Sequence, residues 1–144
     1  MEALIISTDE PQLDRCLASV STQSVPFSNI IHINGVVPES VAFNKGMSQI
    51  TSEWALLVQG DMILYKDAVK LVIDYMEKYK SDKICGYFFS LSDTFLECKI
   101  GFCVVMRTKA YKSLMYEDKL RDDIIASRKL RSEGWIIRKA WTIT

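Results

Sequence analysis

A single carboxylate, Asp61, follows a strongly apolar stretch that ends at Gln59 and Gly60. A carboxylate at the end of a buried strand can hold a divalent cation, because Mg²⁺ and Mn²⁺ take hard oxygen ligands and share them with phosphate and water. The same residues also suit an ordinary Gly-Asp turn. The position of Asp61 relative to the other predicted elements indicates which of these two roles is favoured.

Two other groups of residues have the chemistry of a site. The acidic pair Asp122 and Asp123 opens a segment with helical spacing, and one of its carboxylates could deprotonate an attacking hydroxyl group. Two acids at a helix start also interact favourably with the helix dipole, so a structural role stays open. Asn44 and Lys45 lie on another helical segment, where Lys45 could reach a phosphate or simply face solvent.

The first eighty residues alternate three short apolar runs with three helical segments. The apolar runs are residues 3–8, 29–34 and 53–59. This order predicts parallel strands flanked by helices, with all three carboxyl ends at one edge, where ligands of open α/β sheets bind. Asp61 therefore shares that edge with the polar residues of the other two loops, which are Thr8, Asp9 and Asn34.

The pattern changes in the second half of the chain. Residues 83–107 contain two strand-like runs joined through Ser92-Asp93-Thr94, which indicates an antiparallel hairpin. Two helical segments follow, then a stop at Gly134 and a closing strand over residues 135–144. The sequence predicts one α/β domain over residues 1–144, with a mixed, mainly parallel sheet flanked by helices and an antiparallel hairpin in its second half.

Composition excludes several classes of protein. Lys plus Arg and Asp plus Glu number 18 each in 144 residues, so the chain lacks the basic excess of a nucleic-acid-binding protein. No apolar run approaches the ~20 residues that span a membrane, and the first residues lack a basic leader. The four cysteines form no CxxC pair, and one histidine does not complete a zinc site. We expect a cytoplasmic protein with reduced thiols.

Three segments, in this order, resemble the family 2 glycosyltransferases, whose GT-A fold binds nucleotide sugars. They are "LIISTDEPQLDRCLASVSTQS", "AFNKGMSQITSEWALLVQGDMIL" and "DDIIASRKLRSEGW". In the second segment, Asn44-Lys45-Gly46 matches the family's Asn-x-Gly, and Asp61 matches the last residue of its Asp-x-Asp motif. In the third, Asp122-Asp123 matches its late acidic pair. The resemblance implies a GT-A-like, Rossmann-like fold.

The resemblance also implies an activity and its site. The activity is inverting, metal-dependent transfer of a sugar from a nucleoside-diphosphate sugar, with a UDP-sugar the preferred donor. Asp61 would hold Mn²⁺ or Mg²⁺, and Asp123, beside Asp122, would be the general base. The donor would lie against Thr8, Asp9, Asn34, Asn44, Lys45, Gln59 and Gly60. Residues 1–80 would be the nucleotide-binding half and residues 81–144 a reduced acceptor-side half. Because a domain with so short a second half would gain by pairing with itself, a homodimer is also an expectation.

The chain departs from the family at three points. Gln59 and Asn34 replace carboxylates, and less chain lies between Asp61 and Asp122 than family members usually have. A non-catalytic binding or assembly module with the same fold therefore stays open. A third hypothesis, an unrelated doubly wound domain of the receiver or flavodoxin kind, requires an all-parallel sheet, and the predicted hairpin contradicts it.

Overall fold

The computed structural model describes residues 1–93, 96–114 and 122–140, without the side chains of residues 100–102, 122 and 123. Its strands are β1 (Glu2–Ser7), β2 (Ile30–Asn34), β3 (Trp54–Gln59), β4 (Ile84–Asp93), β5 (Cys98–Arg107) and β6 (Ile136–Ala140). Its helices are α1 (Leu13–Ser21), α2 (Glu39–Gln49), α3 (Ala68–Lys78), α4 (Thr108–Lys112) and α5 (Asp122–Ser132).

The strands form one sheet in the order β2-β1-β3-β5-β4-β6. β1 is parallel to β2 and β3, while β5 is antiparallel to both β3 and β4, and β6 is parallel to β4. This topology confirms the predicted mixed, mainly parallel sheet with its hairpin. It also excludes the all-parallel doubly wound alternative, because β5 runs against its two neighbours.

Helices cover both faces of the sheet, which explains why β1 is buried along its whole length. One layer of the core joins the sheet to α2, α4 and α5, and the other joins it to α1 and α3. Gly46 lets α2 approach β1 closely, because a Cβ at this position would lie 2.2 Å from Cδ1 of Leu4. α2 is therefore held tightly against the strand that ends at the predicted site.

The hairpin turn differs from the prediction. Ser92 and Asp93, expected in the turn, pair with Lys99 and Cys98 and belong to β4. The carboxylate of Asp93 instead accepts a hydrogen bond from the amide of Leu96 at 2.7 Å, so Asp93 closes a turn that lies beyond it. Thr94 lies outside the described residues.

α5 ends at the amino edge of the sheet. The chain turns at Gly134, which has φ +87°, and the amide of Trp135 then bonds to the carbonyl of Leu130 at 3.0 Å. The amide of Ile136 donates a hydrogen bond to the carbonyl of Lys83 at the amino end of β4. Since α5 ends at this edge, the backbone of its first residue, Asp122, lies on the side of the carboxyl edge. The predicted closing strand is confirmed over Ile136–Ala140, and residues 141–144 lie outside the described residues.

None of the helices in the described ranges is long and apolar enough to cross a membrane.

Candidate functional site

The loops after β1, β2 and β3 surround an open cleft of about 260 Å³ at the carboxyl edge of the sheet. Strand register brings them together, because Ser7 pairs with Asn34 and Ile6 pairs with Gln59. The cleft is lined by Ile6, Ser7, Thr8, Glu10, Val36, Val37, Glu39, Gln59 and Asp61. Three of the predicted site residues, Thr8, Gln59 and Asp61, therefore share one surface.

A chain of hydrogen bonds joins β1 and β2 beside this cleft. The side-chain amide nitrogen of Asn34 donates to Oδ1 of Asp9 at 2.8 Å. Since a carboxylate accepts but does not donate, Oδ1 of Asn34 must face Ser7, whose hydroxyl donates to it at 2.7 Å. Ser7 is also 2.7 Å from Nε2 of His32, so this nitrogen carries the proton and donates to Ser7. Asp9 and Asn34 are thus held in one orientation.

Backbone geometry brings Asp9 to Asn34. Asp9 has φ +64°, in the left-handed region that an aspartate tolerates better than most residues. Gly35 has φ +68°, and its amide donates to the carbonyl of Ser7 at 2.9 Å. These two turns place the loop after β1 against the loop after β2.

Glu10 is a site residue that the sequence analysis missed. Both of its carboxylate oxygens accept from the amide of Thr8 at 3.0 Å, and Oε1 also accepts from the Thr8 hydroxyl at 3.1 Å. Partial burial by itself raises the pKa of Glu10. Hydrogen bonds from the amides of Glu10 and Thr8 and from the Thr8 hydroxyl outweigh burial, so that the pKa is lowered and the carboxylate stays charged in the cleft.

Glu39, in the first turn of α2, is a second residue that the sequence analysis missed. Its Oε1 accepts a hydrogen bond from Nε2 of Gln59 at 2.9 Å. The bond crosses the cleft between two residues that lie 20 positions apart in sequence. A sequence pattern carries no signal for such a pair, because each residue alone suits a helix start or a strand end.

Asp61 is exposed at the turn after β3, which the hydrogen bond from the Met62 amide to the Gln59 carbonyl closes at 2.9 Å. The thiol of Cys16 lies behind this turn, 3.5 Å from the same carbonyl. Burial raises the pKa of Cys16 to about 11, and the negative charges of Asp61 and Glu10 add to the rise. Two carboxylates thus act on one buried thiol from the cleft side.

The cleft is acidic. Its lining includes the carboxylates of Glu10, Glu39 and Asp61, and among the described residues it includes no Lys or Arg. Its donor set consists of oxygens from carboxylate, amide and hydroxyl groups, which is the chemistry that Mg²⁺ and Mn²⁺ prefer. The described residues contain no cluster of three acidic, His or Cys side chains that could hold a metal by themselves. A cation at Asp61 therefore needs further oxygen ligands from a bound molecule or from water.

The other predicted site residues lie around the cleft. Asn44 is half-buried and Lys45 exposed on α2, and of the described residues neither lines the cleft. Gly60 lies between two lining residues, and its amide donates to the carbonyl of Ile6 at 2.9 Å. Asp122 and Asp123 begin α5, and their side chains lie outside the described residues.

No family model matches the sequence, and no curated protein matches it. Solved structures do match it. Mannosyltransferase PcManGT from Pyrobaculum calidifontis, in complex with GDP-Man and Mn²⁺, has a TM-score of 0.74 at 10% identity, over 96% of this chain and 54% of that chain. TarS 1-349 of S. aureus, in complex with UDP, has a TM-score of 0.70 at 15% identity, over 96% of this chain and 57% of that chain.

The bifunctional IspDF from Campylobacter jejuni has a TM-score of 0.65 at 15% identity, over 99% of this chain and 50% of that chain. The chain thus spans about half the length of these three proteins. At such low identity the likeness concerns the fold. The chain therefore has the GT-A-like, Rossmann-type fold that is found in glycosyltransferases and nucleotidyltransferases.

Proposed function

We propose that the chain is a metal-dependent glycosyltransferase domain that takes its sugar from a nucleoside-diphosphate donor. The observation that carries this proposal is the position of Asp61 in a cleft at the carboxyl edge of β1 and β3. Ligands of open α/β sheets bind at that edge. The likeness in fold to proteins solved with GDP-Man and Mn²⁺ and with UDP supports a nucleotide sugar as the donor.

The charge of the cleft supports metal dependence. A phosphate group at about 6 Å from one carboxylate would meet a repulsion of about 3 kcal/mol at an effective dielectric constant of about 20. Glu10, Glu39 and Asp61 all line the cleft, so a bare diphosphate is disfavoured there. A divalent cation held by Asp61 would offset this repulsion and stabilise the charge on the departing nucleoside diphosphate.

The hydrogen-bonded pair of Asn34 and Asp9 would contact the nucleoside, because it offers a donor and an acceptor side by side. Thr8, Gln59 and Gly60 border the same cleft and would contact the ribose and the diphosphate. Asn44 and Lys45 would contact the donor from α2. A UDP-sugar is the donor that we propose first.

Asp123 is the proposed general base, with Asp122 beside it. α5 begins at Asp122 and ends at the amino edge, on the face of the sheet that also carries α2, so its start lies on the side of the carboxyl edge. A carboxylate there would deprotonate the acceptor hydroxyl while it attacks the sugar from the side opposite the diphosphate, which inverts the anomeric centre. Residues 81–144 would supply the acceptor side and residues 1–80 the donor side.

Melting temperatures with and without Mn²⁺ test the donor site, measured with UDP, GDP, CDP and their sugars on wild type and Asp61→Ala. A nucleotide at about one hundred times its Kd adds roughly 2.7 kcal/mol to the free energy of unfolding. We expect a Mn²⁺-dependent shift that Asp61→Ala abolishes. Asp67→Ala is the matched control, because Asp67 is also exposed and its side chain makes no cap hydrogen bond to α3. No shift with any nucleotide would refute the proposal.

A non-catalytic module with the same fold is the second candidate. It is favoured by the hydrogen bonds among the polar side chains of this edge, since Asn34, Asp9, Gln59 and Glu39 already have protein partners. Release of free nucleoside diphosphate from each nucleotide sugar separates the two candidates. Release that Asp123→Asn abolishes while nucleotide binding persists supports the transferase, and binding without release supports the module.

A further inference from the structure

Glu39 brings a carboxylate from α2 to the strand end that precedes Asp61. The contact is direct, because Nε2 of Gln59 lies 2.9 Å from Oε1 of Glu39. All three residues line the same cleft. Two acids from different elements, Glu39 and Asp61, therefore flank the neutral Gln59 on one surface.

The hydrogen bond determines which side-chain atom of Gln59 faces Glu39 and which one is free to bind a ligand. The carboxylate of Glu39 only accepts, so the amide nitrogen of Gln59 must face it, and the amide oxygen points to the other side of the group. An amide oxygen is a hard ligand like a carboxylate oxygen. The Gln59–Glu39 pair thus offers oxygen ligands and one negative charge to the cleft that Asp61 also lines.

Glu39 is better suited than Glu10, the third acid of the cleft, to bind a cation. Both oxygens of Glu10 already accept hydrogen bonds from Thr8. Glu39 uses Oε1 for Gln59, and among the described residues no hydrogen bond to its Oε2 is found. Its place in the first turn of α2 also favours a carboxylate through the helix dipole.

We infer that Glu39 supplies the second negative charge that holds the divalent cation at Asp61, with Gln59 as the positioning residue between them. This inference rests on the proposed function. Two carboxylates with phosphate oxygens and water make a usual set of ligands for Mg²⁺ or Mn²⁺. The neutral residue at position 59 is then compatible with cation binding, because the missing charge comes from α2.

The alternative is that the Gln59–Glu39 bond only ties α2 to β3. That role predicts an effect on the free energy of unfolding and none on the affinity for the cation. Glu39→Gln separates the two roles, because the new amide oxygen can still accept from Gln59 while the charge is lost. The double variant Glu39→Gln/Gln59→Asp returns one carboxylate to the cleft, at position 59 instead of position 39.

The test measures, by equilibrium dialysis, the Kd with which the protein binds the complex of Mn²⁺ with inorganic pyrophosphate and, separately, the complex of Mn²⁺ with UDP. We expect Glu39→Gln to weaken Mn²⁺ binding about tenfold or more, as neutral substitutions around metal ligands commonly do. The double variant should recover affinity to within about threefold of wild type, because the charge is restored. Melting temperatures without metal show that each variant folds. Glu77→Gln, an exposed acid on α3, is the control.

Each other result contradicts the inference. If Asp61→Ala abolishes Mn²⁺ binding while Glu39→Gln leaves it unchanged, the inference fails and the donor site stands. If Glu39→Gln weakens Mn²⁺ binding and the folded double variant does not recover the affinity, the loss of charge does not explain the effect of Glu39→Gln. A change in the contacts of Glu39 would then explain it. If wild type binds no Mn²⁺ with either pyrophosphate or UDP, the proposed function and the inference fail together.

Discussion

The carboxylate of Glu10 lies over Gly60, in the space that a side chain at position 60 would occupy. A Cβ built on Gly60 would lie 2.3 Å from Oε2 of Glu10 and 2.8 Å from Cβ of Ser7. The loop after β1 and the turn after β3 therefore share this space. Gly60 is required here because of this close approach, and its φ is not in the left-handed region.

Gly60→Ala should displace Glu10 and strain Ser7, since Cβ of Ser7 is fixed to β1 and cannot move aside as easily as a carboxylate. Overpacking of this kind costs about 1–3 kcal/mol of unfolding free energy. Urea denaturation measures the loss, and the amide proton shift of Thr8 reports whether its bond to Glu10 survives.

Gly134→Ala is the matched control for Gly60→Ala, because Gly134 lies at the amino edge of the sheet, away from Thr8. Gly134 has φ +87°, so alanine is strained there by about 1 kcal/mol, but nothing lies within 4 Å of the added Cβ. The amide shift of Thr8 should stay the same in this variant. An unchanged Thr8 shift in Gly60→Ala would show that Glu10 and Gly60 do not compete for space.

Glu2 is a buried carboxylate at the opposite edge of the sheet, 3% exposed, whose Oε2 accepts from the amides of Thr51 and Ser52 at 2.7 Å each. Burial alone would raise the pKa of Glu2. The hydrogen bonds from Ser52 and Thr51 outweigh burial and lower the pKa from 4.5 to about 2. A lowered pKa in the folded state means that the ionised carboxylate stabilises the fold.

The contribution of Glu2 is fully present above about pH 4.5 and is lost as the pH falls through about 2. Glu2→Gln should therefore reduce the unfolding free energy by about 3 kcal/mol at pH 7 and by progressively less below pH 4.5. Chemical denaturation across this pH range tests it, with the exposed Glu77→Gln as control. A difference between Glu2→Gln and wild type that does not shrink at low pH would show that shape rather than charge is responsible.

The thiols should differ sharply in reactivity. Cys98 is exposed, while the other three cysteines are buried. Burial raises the pKa of Cys16 and Cys85 to about 11 and that of Cys103 to about 12, so these three hold little thiolate at pH 8. Ellman's reagent should modify one thiol rapidly in the native protein and all four in guanidinium, and Cys98→Ser should remove the rapid phase. A second rapid thiol would indicate that a buried cysteine opens to solvent.

The order of elements in the first half of the chain could be predicted from the sequence because β1 and β3 contain compact runs of apolar residues. The six residues of β1 are all buried, which a continuous apolar run between two helical segments indicates. The turn of the hairpin could not be placed, because Asp93 suits both a strand end and a turn. The position of the turn depends on the hydrogen bond from the Leu96 amide to the Asp93 carboxylate, which forms only in the folded hairpin.

The edge that carries the site could also be predicted, because the handedness of parallel units fixes it. Thr8, Gln59 and Asp61 share the cleft for this reason. The two acids that complete the cleft could not be predicted. Glu10 depends on the space above Gly60, and Glu39 depends on the packing of α2 against β1. Both are properties of tertiary packing that no local pattern contains.

Ser7 is the central member of the hydrogen-bond chain that joins His32 to Asn34, and it is 1% exposed. Ser7→Ala would leave Oδ1 of Asn34 without a donor and the Nε2 proton of His32 without an acceptor. The loss of these bonds should lower the unfolding free energy by about 1–2 kcal/mol. Ser48→Ala, which removes an exposed hydroxyl on α2, should change it by less than about 0.5 kcal/mol.

The tautomer of His32 gives a second readout, at a pH where the imidazole is neutral. Wild type should show the proton on Nε2 in a ¹⁵N–¹H correlation spectrum, because Ser7 accepts it while donating to Asn34. Ser7→Ala should show a mixture of the two tautomers, since this constraint is gone. Under the proposed function, the variant should also bind the nucleotide more weakly, because Ser7 no longer holds the amide of Asn34. A wild-type His32 with its proton on Nδ1 would contradict the chain as drawn, and would mean that Ser7 donates to His32 instead of to Asn34.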